Sequence, residues 1–227
     1  MNVANPITAA KTKIRNDANL TDIRTAIAGA IASHALSNEG VESVAIVGTG
    51  VQARYQARYI SELMKVKKIS IWGRDPKKAE KVKTDLPYLD VNIETDIEKL
   101  VTESSLIVTT TSSKDPLIQS EWVKPGTHIT AVGSDTPEKC ELDPNLLSRA
   151  DLLVADSLEQ NLIRGEIHQA AKRSLIDSES VVELGEIFSG IKKGRLNQDS
   201  ITIADLTGVA VQDLVIAQAV LRATKEA

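Results

Sequence analysis

The chain has 227 residues, 27 Lys and Arg against 31 Asp and Glu for a net charge of −4, 42% apolar residues and only six aromatics. That length suits one generous domain or two small ones with a real core. The slight acidity and scarce aromatics offer neither the cationic footprint nor the stacking platform that a nucleic-acid partner needs. The one cysteine, Cys140, excludes an internal disulfide, and no Cys/His cluster has zinc-ligand spacing, so no metal is expected and any redox chemistry must be carried by something bound. The longest apolar stretch, 26–35, is broken by Gly29, Ser33 and His34, and the N-terminus lacks a secretory apolar run. The expectation is a cytoplasmic, reduced protein without membrane contact.

In chain order, the first nineteen or so residues read as the tail of a preceding unit, with Lys11, Lys13 and Arg15 as a surface charge run. A helix follows over 20–36, with Thr21 as its N-cap, Asp22 in its first turn and an apolar stripe of Ile23, Ala26, Ile27, Ala30 and Ile31. From Ser43 onward β-rich runs at 44–47, 68–72, 91–93, 106–109, 127–132, 152–155 and 201–203 alternate with helical patterns at 51–65 and 76–85. Solidly apolar runs in that alternation predict an α/β fold, a doubly wound parallel sheet covered on both faces. A last helix over 208–224 carries Val211, Leu214, Val215, Ala219 and Leu221 on one side, and both end helices are read as core packing.

The run 44–47 leads into Gly48-Thr49-Gly50-Val51-Gln52-Ala53 and then a helix. In that context Gly48 permits a tight turn, Gly50 a close approach of backbone to a pyrophosphate, and Ala53 close helix packing, with free N–H groups meeting the anion. The plainer reading is an ordinary glycine turn. At the end of the second run, Ile71-Trp72-Gly73-Arg74-Asp75 puts Gly73 where an NAD enzyme places its ribose-binding acid, with Arg74 next to clamp a 2′-phosphate. This predicts NADP(H) in preference to NAD(H); a one-residue shift in register would make Asp75 the ribose acceptor instead.

Ligands of open α/β sheets lie beyond the carboxyl ends of the strands, which points to 109–113, 133–139 and 205–208. Asp135 is an acid/base candidate with a burial-tuned pKa, or else a turn residue before Pro137. Lys139 binds a cofactor or is simply solvated. His34, His128 and His168 are scattered and read as structural or surface residues.

Several strings then fall in the order of a known family: Leu20-Thr21-Asp22-Ile23-Arg24-Thr25-Ala26, the glycine turn, Gly133 to Leu142, Glu183-Leu184-Gly185-Glu186 with Gly194-Arg195, and Asp205 to Asp213. As a set they resemble the ornithine cyclodeaminase/mu-crystallin family. The resemblance implies a Rossmann domain over 20–227 that binds NAD(H) or NADP(H) and serves hydride transfer at Cα of a small amino or imino acid. Its members include cyclodeaminases, alanine dehydrogenases, ketimine or pyrroline-2-carboxylate reductases and ectoine-utilisation proteins, the last resembled most by Arg24 to Ala30 and Asp205 to Gly208.

Carried over by motif, Arg24 matches a substrate-carboxylate arginine and Asp135 the residue assisting proton transfer. Val51 and Gln52 match the pyrophosphate turn, Thr111 with Ala131, Val132 and Gly133 matches cofactor-lining segments, and Lys139 a cofactor-contacting lysine. Leu206 and Thr207 match a nicotinamide-side loop, with Leu206 where cyclodeaminases have serine. The family also carries a front segment that supplies further substrate contacts and pairs subunits, so residues 1–19 are expected to be its remnant and the active form a homodimer with that segment present. The alternative expectation is a dinucleotide-binding protein with impaired catalysis.

Overall fold

The computed structural model describes residues 2–4, 11–13 and 17–223, with side chains from residue 19 onward. The charge run of Lys11, Lys13 and Arg15 therefore lies outside the described side chains. A ribbon of β1 (Asn2–Ala4) and antiparallel β2 (Lys11–Lys13) comes first, then α1 (Asp17–Leu36). The body follows as β3 (Ser43–Val47), α2 (Val51–Met64), β4 (Lys68–Trp72), α3 (Pro76–Asp85), β5 (Asp90–Ile93), α4 (Ile97–Thr102), β6 (Leu106–Thr109) and β7 (His128–Ala131). After it come α5 (Pro144–Arg149), β8 (Leu152–Ala155), α6 (Leu158–Asn161), α7 (Glu166–Ala171), β9 (Val182–Glu183), α8 (Leu184–Phe188), β10 (Thr202–Asp205) and α9 (Ala210–Ala223).

Eight parallel strands form one sheet in the order β5-β4-β3-β6-β7-β10-β8-β9. All seven β-rich runs are strands of it; the eighth, β9, is two residues long and carries no pattern to read. Side chains alternate across a strand, so each strand feeds two cores. Val44 and Ile46 of β3 join Ala53, Ala57 and Ile60 of α2 on one face, while Ala45 and Val47 join Ile129, Ile203, Leu146 and Ile167 on the other. Strand order reverses between β3 and β6, and the crevice beyond their carboxyl ends is where such sheets bind ligands.

Both end helices differ from expectation. The first begins at Asp17, which puts Thr21 inside it rather than at its N-cap. Its stripe divides: Ala26 and Ala30 are buried, but Ile31 is exposed, and Ala32, Ser33 and Leu36 off the stripe are buried as completely as Ala26. Small residues let α1 lie close to α2, where a Cβ on Gly29 would sit 2.4 Å from Gln56 Oε1. The last helix starts at Ala210, and its apolar side is not core: Val211, Leu214 and Val215 are all exposed. With Ile27, Ile31, Leu184 and Phe188, the side chains of Val211 and Val215 line an open cavity of about 400 Å³ between α1, α8 and α9.

His128 is structural, as read. It is buried in β7 between the hydroxyls of Thr202 (2.8 Å) and Thr130 (2.9 Å), and burial, helped by the charge of Arg195, pulls its pKa down to about 3. His168 Nδ1 pairs with the Leu162 carbonyl, and His34 is exposed. No described helix is long and apolar enough to cross a membrane.

Candidate functional site

The turn after β3 is built around two unlike glycines. Gly48 has φ +133°, and a Cβ there would lie 2.3 Å from Thr110 Oγ1, so no other residue fits. Gly50 is the opposite case: it is exposed, nothing lies within 4 Å of where its Cβ would be, and α2 starts behind it with no side-chain cap. Open space in front of uncapped N–H groups is what a phosphate requires. Val51 is exposed at the first helical position. The Gln52 side chain turns away to α1, donating to the backbone and carboxylate oxygens of Asp22 (3.1 Å each), which leaves its backbone N–H toward the turn. Arg54, which sequence reasoning passed over, donates back to the carbonyls of Thr49 and Gly50 (2.8 and 2.9 Å) while paired to Asp85.

Beyond β4 a cavity of about 230 Å³ is bounded by this turn, Gly73, Arg74, Asp75, Lys78 and residues 110–112. A Cβ on Gly73 would meet Thr49 Cγ2 at 2.4 Å, so with the Thr49 methyl turned this way the ribose acid's place has no room for a side chain. Asp75 is engaged as the N-cap of α3, its Oδ1 accepting from the Lys77 N–H at 3.0 Å. Arg74 is exposed at the rim and Lys78, a cation not singled out from sequence, stands one helical turn further on. Glycine backbone, helix N–H groups and two cations form a donor set that fits a dinucleotide.

The segments after β6 and β7 meet at a buried carboxylate. Glu141 Oε1 accepts from the Thr111 N–H (2.5 Å), and Oε2 from the Thr109 hydroxyl (2.8 Å) and the Gly133 N–H (2.9 Å). Glu166 in turn accepts from the Ser134 hydroxyl and from the N–H groups of Glu141 (2.7 Å) and Leu142 (3.2 Å). Burial raises both acids to about 7, with Glu166 repelling the charge on Glu141 and Asp205 that on Glu166. Neither glutamate stands out by type; the available signal was a charge inside the apolar string Cys140-Glu141-Leu142. Ala131 and Val132 are buried in cores on opposite faces, so they can meet a ligand only through backbone.

Asp135 departs from the expectation of burial: its side chain is 55% exposed and paired with Lys139 Nζ, which is itself largely covered. The lysine is thus held beside the acid candidate rather than solvated.

Arg24 comes to the loop after β10. Its Nε pairs with Asp213 (3.0 Å), its Nη1 donates to Gln212 Oε1 (2.9 Å), and Gly208, with φ +84°, leaves the room, since a Cβ would lie 2.8 Å from Nη1. Leu206 is buried with Ala32, Leu36 and Val154. Thr207 donates to Asp156 (3.3 Å), and the Gly208 N–H to the same carboxylate (2.6 Å). The free cysteine, Cys140, is buried, its pKa pushed up to about 12 by burial and Glu166.

A sequence model of the ornithine cyclodeaminase/mu-crystallin family matches residues 2–227. An uncharacterized cyclodeaminase of Sinorhizobium fredii is 41% identical over 211 residues, 91% of this chain and 64% of its own. The iminosuccinate reductase of Paracoccus denitrificans is 36% identical over 207 residues, 91% of this chain and 64% of its own. Its crystal structure with NAD+ superimposes with a TM-score of 0.90 at 33% identity, covering 99% of this chain and 70% of that one. The Thermococcus litoralis Δ1-pyrroline-2-carboxylate reductase, solved with NADH and L-proline, gives 0.89 at 28% identity, covering 96% and 68%. The chain spans about three fifths of the length of the curated relatives it matches.

Proposed function

Because the chain belongs to the ornithine cyclodeaminase/mu-crystallin family, we propose that it binds a nicotinamide dinucleotide across the switch-point crevice and serves hydride transfer at the α-carbon of a small amino or imino acid. The observation that carries this is the turn itself: open space at Gly50, an uncapped helix behind it, and the polar ends of β6, β7 and β10 beside it. When bound, the dinucleotide supplies or takes up the hydride.

Residues of this chain serve both the substrate and the cofactor side. Arg24, steadied by Asp213 and Gln212, offers its guanidinium to the substrate carboxylate in fork geometry. Asp135 takes the proton that leaves the substrate nitrogen in the oxidative direction and returns it in the reductive one, with the Lys139 ammonium beside it. Backbone of 131–133 and 206–207 and the hydroxyl of Thr111 are assigned to the cofactor side. NADP(H) is the preferred form: Thr49 closes the acid's place at Gly73, Asp75 is used as a cap, and Arg74 and Lys78 bring positive charge to the rim. The cytoplasm and the family's homodimer complete the reading.

The test is a titration of NADPH and NADH against the protein by Trp72 fluorescence, alongside oxidation assays with ornithine, alanine, proline and diaminobutyrate. Binding with turnover of one amino acid is the expected result. No binding of either dinucleotide overturns the proposal, and tight binding with no turnover across a wider imine panel replaces it with a non-catalytic dinucleotide-binding role.

A further inference from the structure

Two buried glutamates are left without a part in this chemistry, yet they hold the segments after β6 and β7 that border it. Glu141 gathers three donors from two different strand ends: Thr109 and Thr111 at the end of β6, and Gly133 just past β7. Its carboxylate thereby ties together the ends of two strands that already pair with each other, and so fixes where residues 109–111 stand at the edge of the β3–β6 crevice. The packing leaves no slack, because a Cβ on Gly133 would lie 2.0 Å from the Thr111 carbonyl oxygen and 2.5 Å from Glu141 Oε2. Glu166 does something different. It binds Ser134 at the start of one loop and the backbone N–H groups of Glu141 and Leu142 at its end, so the loop that displays Asp135 and Lys139 is drawn closed on a single side chain from α7. The two clasps are in series, since Glu166 grips the peptide of Glu141.

We propose that Glu141 and Glu166 are positioning residues with separable effects, Glu141 anchoring to β7 the β6 segment that walls the dinucleotide crevice and Glu166 setting the closed loop that presents Asp135. The inference rests on the dinucleotide-binding reading above. All partners of both carboxylates are donors, and this decides what a shape-preserving substitution does. In Glu141→Gln the new amide group faces either the Thr111 N–H or the Gly133 N–H, whichever way it is turned. The Thr109 hydroxyl can rotate to accept, but a backbone N–H cannot, so one strand end loses its acceptor. In Glu166→Gln the same conflict falls on the Glu141 or the Leu142 N–H. Burying an unpaired donor is costly enough to open the clasp locally.

The experiment compares wild type, Glu141→Gln and Glu166→Gln by amide hydrogen exchange and by NADPH binding, with turnover measured as a third readout. Glu141→Gln is expected to speed exchange at Thr111 or Gly133 at least tenfold and to weaken NADPH binding at least tenfold, with Ile107 and Ile129 of the core still protected. Glu166→Gln is expected to speed exchange at Glu141 or Leu142, to leave NADPH binding within threefold of wild type, and to lower kcat at least tenfold. Equal losses of NADPH affinity in both variants, or unchanged affinity in Glu141→Gln, overturn the assignment. Should Glu141→Gln fail to fold, Thr109→Val, which removes one of the carboxylate's donors with little change of shape, replaces it with exchange and binding changes in the same direction. A wild-type chain that binds no dinucleotide, while Glu141→Gln still deprotects Thr111 or Gly133, refutes the function and keeps the clasp.

Discussion

Replacing Gly48 by alanine tests the phosphate turn at its tightest point. The residue has φ +133°, a conformation that costs an L-residue about 1–3 kcal/mol. The added methyl would also lie 2.3 Å from Thr110 Oγ1 and 3.2 Å from the Thr110 carbonyl oxygen, an overpacking of about 1–3 kcal/mol more. The sum, about 2–6 kcal/mol, is a large part of a typical stability of roughly 5–15 kcal/mol. At a urea m-value of about 2–3 kcal/mol per M, a mid-range loss lowers the midpoint by roughly 1–2 M. Thr110→Ala removes the nearer obstacle at the expense of its bond to the Val47 carbonyl (3.2 Å), worth about 1 kcal/mol. In the double variant the hydroxyl clash disappears while the backbone strain stays, so a double-mutant cycle should show a favourable coupling of about 1–3 kcal/mol. A Gly48→Ala midpoint within 0.3 M of wild type, roughly 1 kcal/mol or less, or strict additivity in the cycle, would mean that the turn accommodates the methyl without strain.

Arg74→Ala should weaken NADPH binding about tenfold, the loss of one charge-assisted contact, and leave NADH unchanged in parallel titrations; an equal loss for both removes Arg74 from the choice of cofactor. Asp75→Ala should cost about 1 kcal/mol of stability in urea melts as a lost N-cap, with the NADPH to NADH ratio unmoved. Asp213→Asn should raise the amino-acid KM by several fold with kcat nearly kept, because it loosens Arg24 without touching Asp135 or Lys139; an unchanged KM counts against the Arg24 assignment. His128 stays neutral in the fold down to about pH 3, while the unfolded ring binds its proton near 6.5, so its contribution to stability is present above 6.5 and is lost as pH falls toward 3. Against wild type, His128→Gln should therefore gain ground on acidification by up to about 1.4 kcal/mol per pH unit, read from urea midpoints at pH 4 to 7. A difference that does not vary with pH sinks that account.

The sheet was legible because parallel strands covered on both faces must be apolar along their length, as at 44–47 and 106–109. The glycine turn was legible because backbone geometry leaves so few residues a choice there. Helix ends were not: the start of α1 depends on residues ahead of its apolar stripe, and α9 has the periodicity of a packed helix but buries only Ala217, leaving Val211, Leu214 and Val215 exposed. Glu141 and Glu166 were hidden for a different reason. A carboxylate that ties loops together looks in sequence like any solvated one, and only the fold reveals that its partners come from 8 to 32 residues away. The same holds for Thr49, whose methyl shapes the place left by Gly73 across the turn from another strand.

The two borders of the main sheet limit how copies of the chain can join. At one border β9 offers two residues of ladder before the capping box of Glu183 and Glu186 turns the chain into α8. At the other, β5 is four residues long and turns Asp90 and Asn92 to solvent. Short, polar margins of this kind are poor templates for a further strand, so continuing this sheet from one molecule into the next is disfavoured. A join between copies therefore has to be made somewhere other than along these two borders.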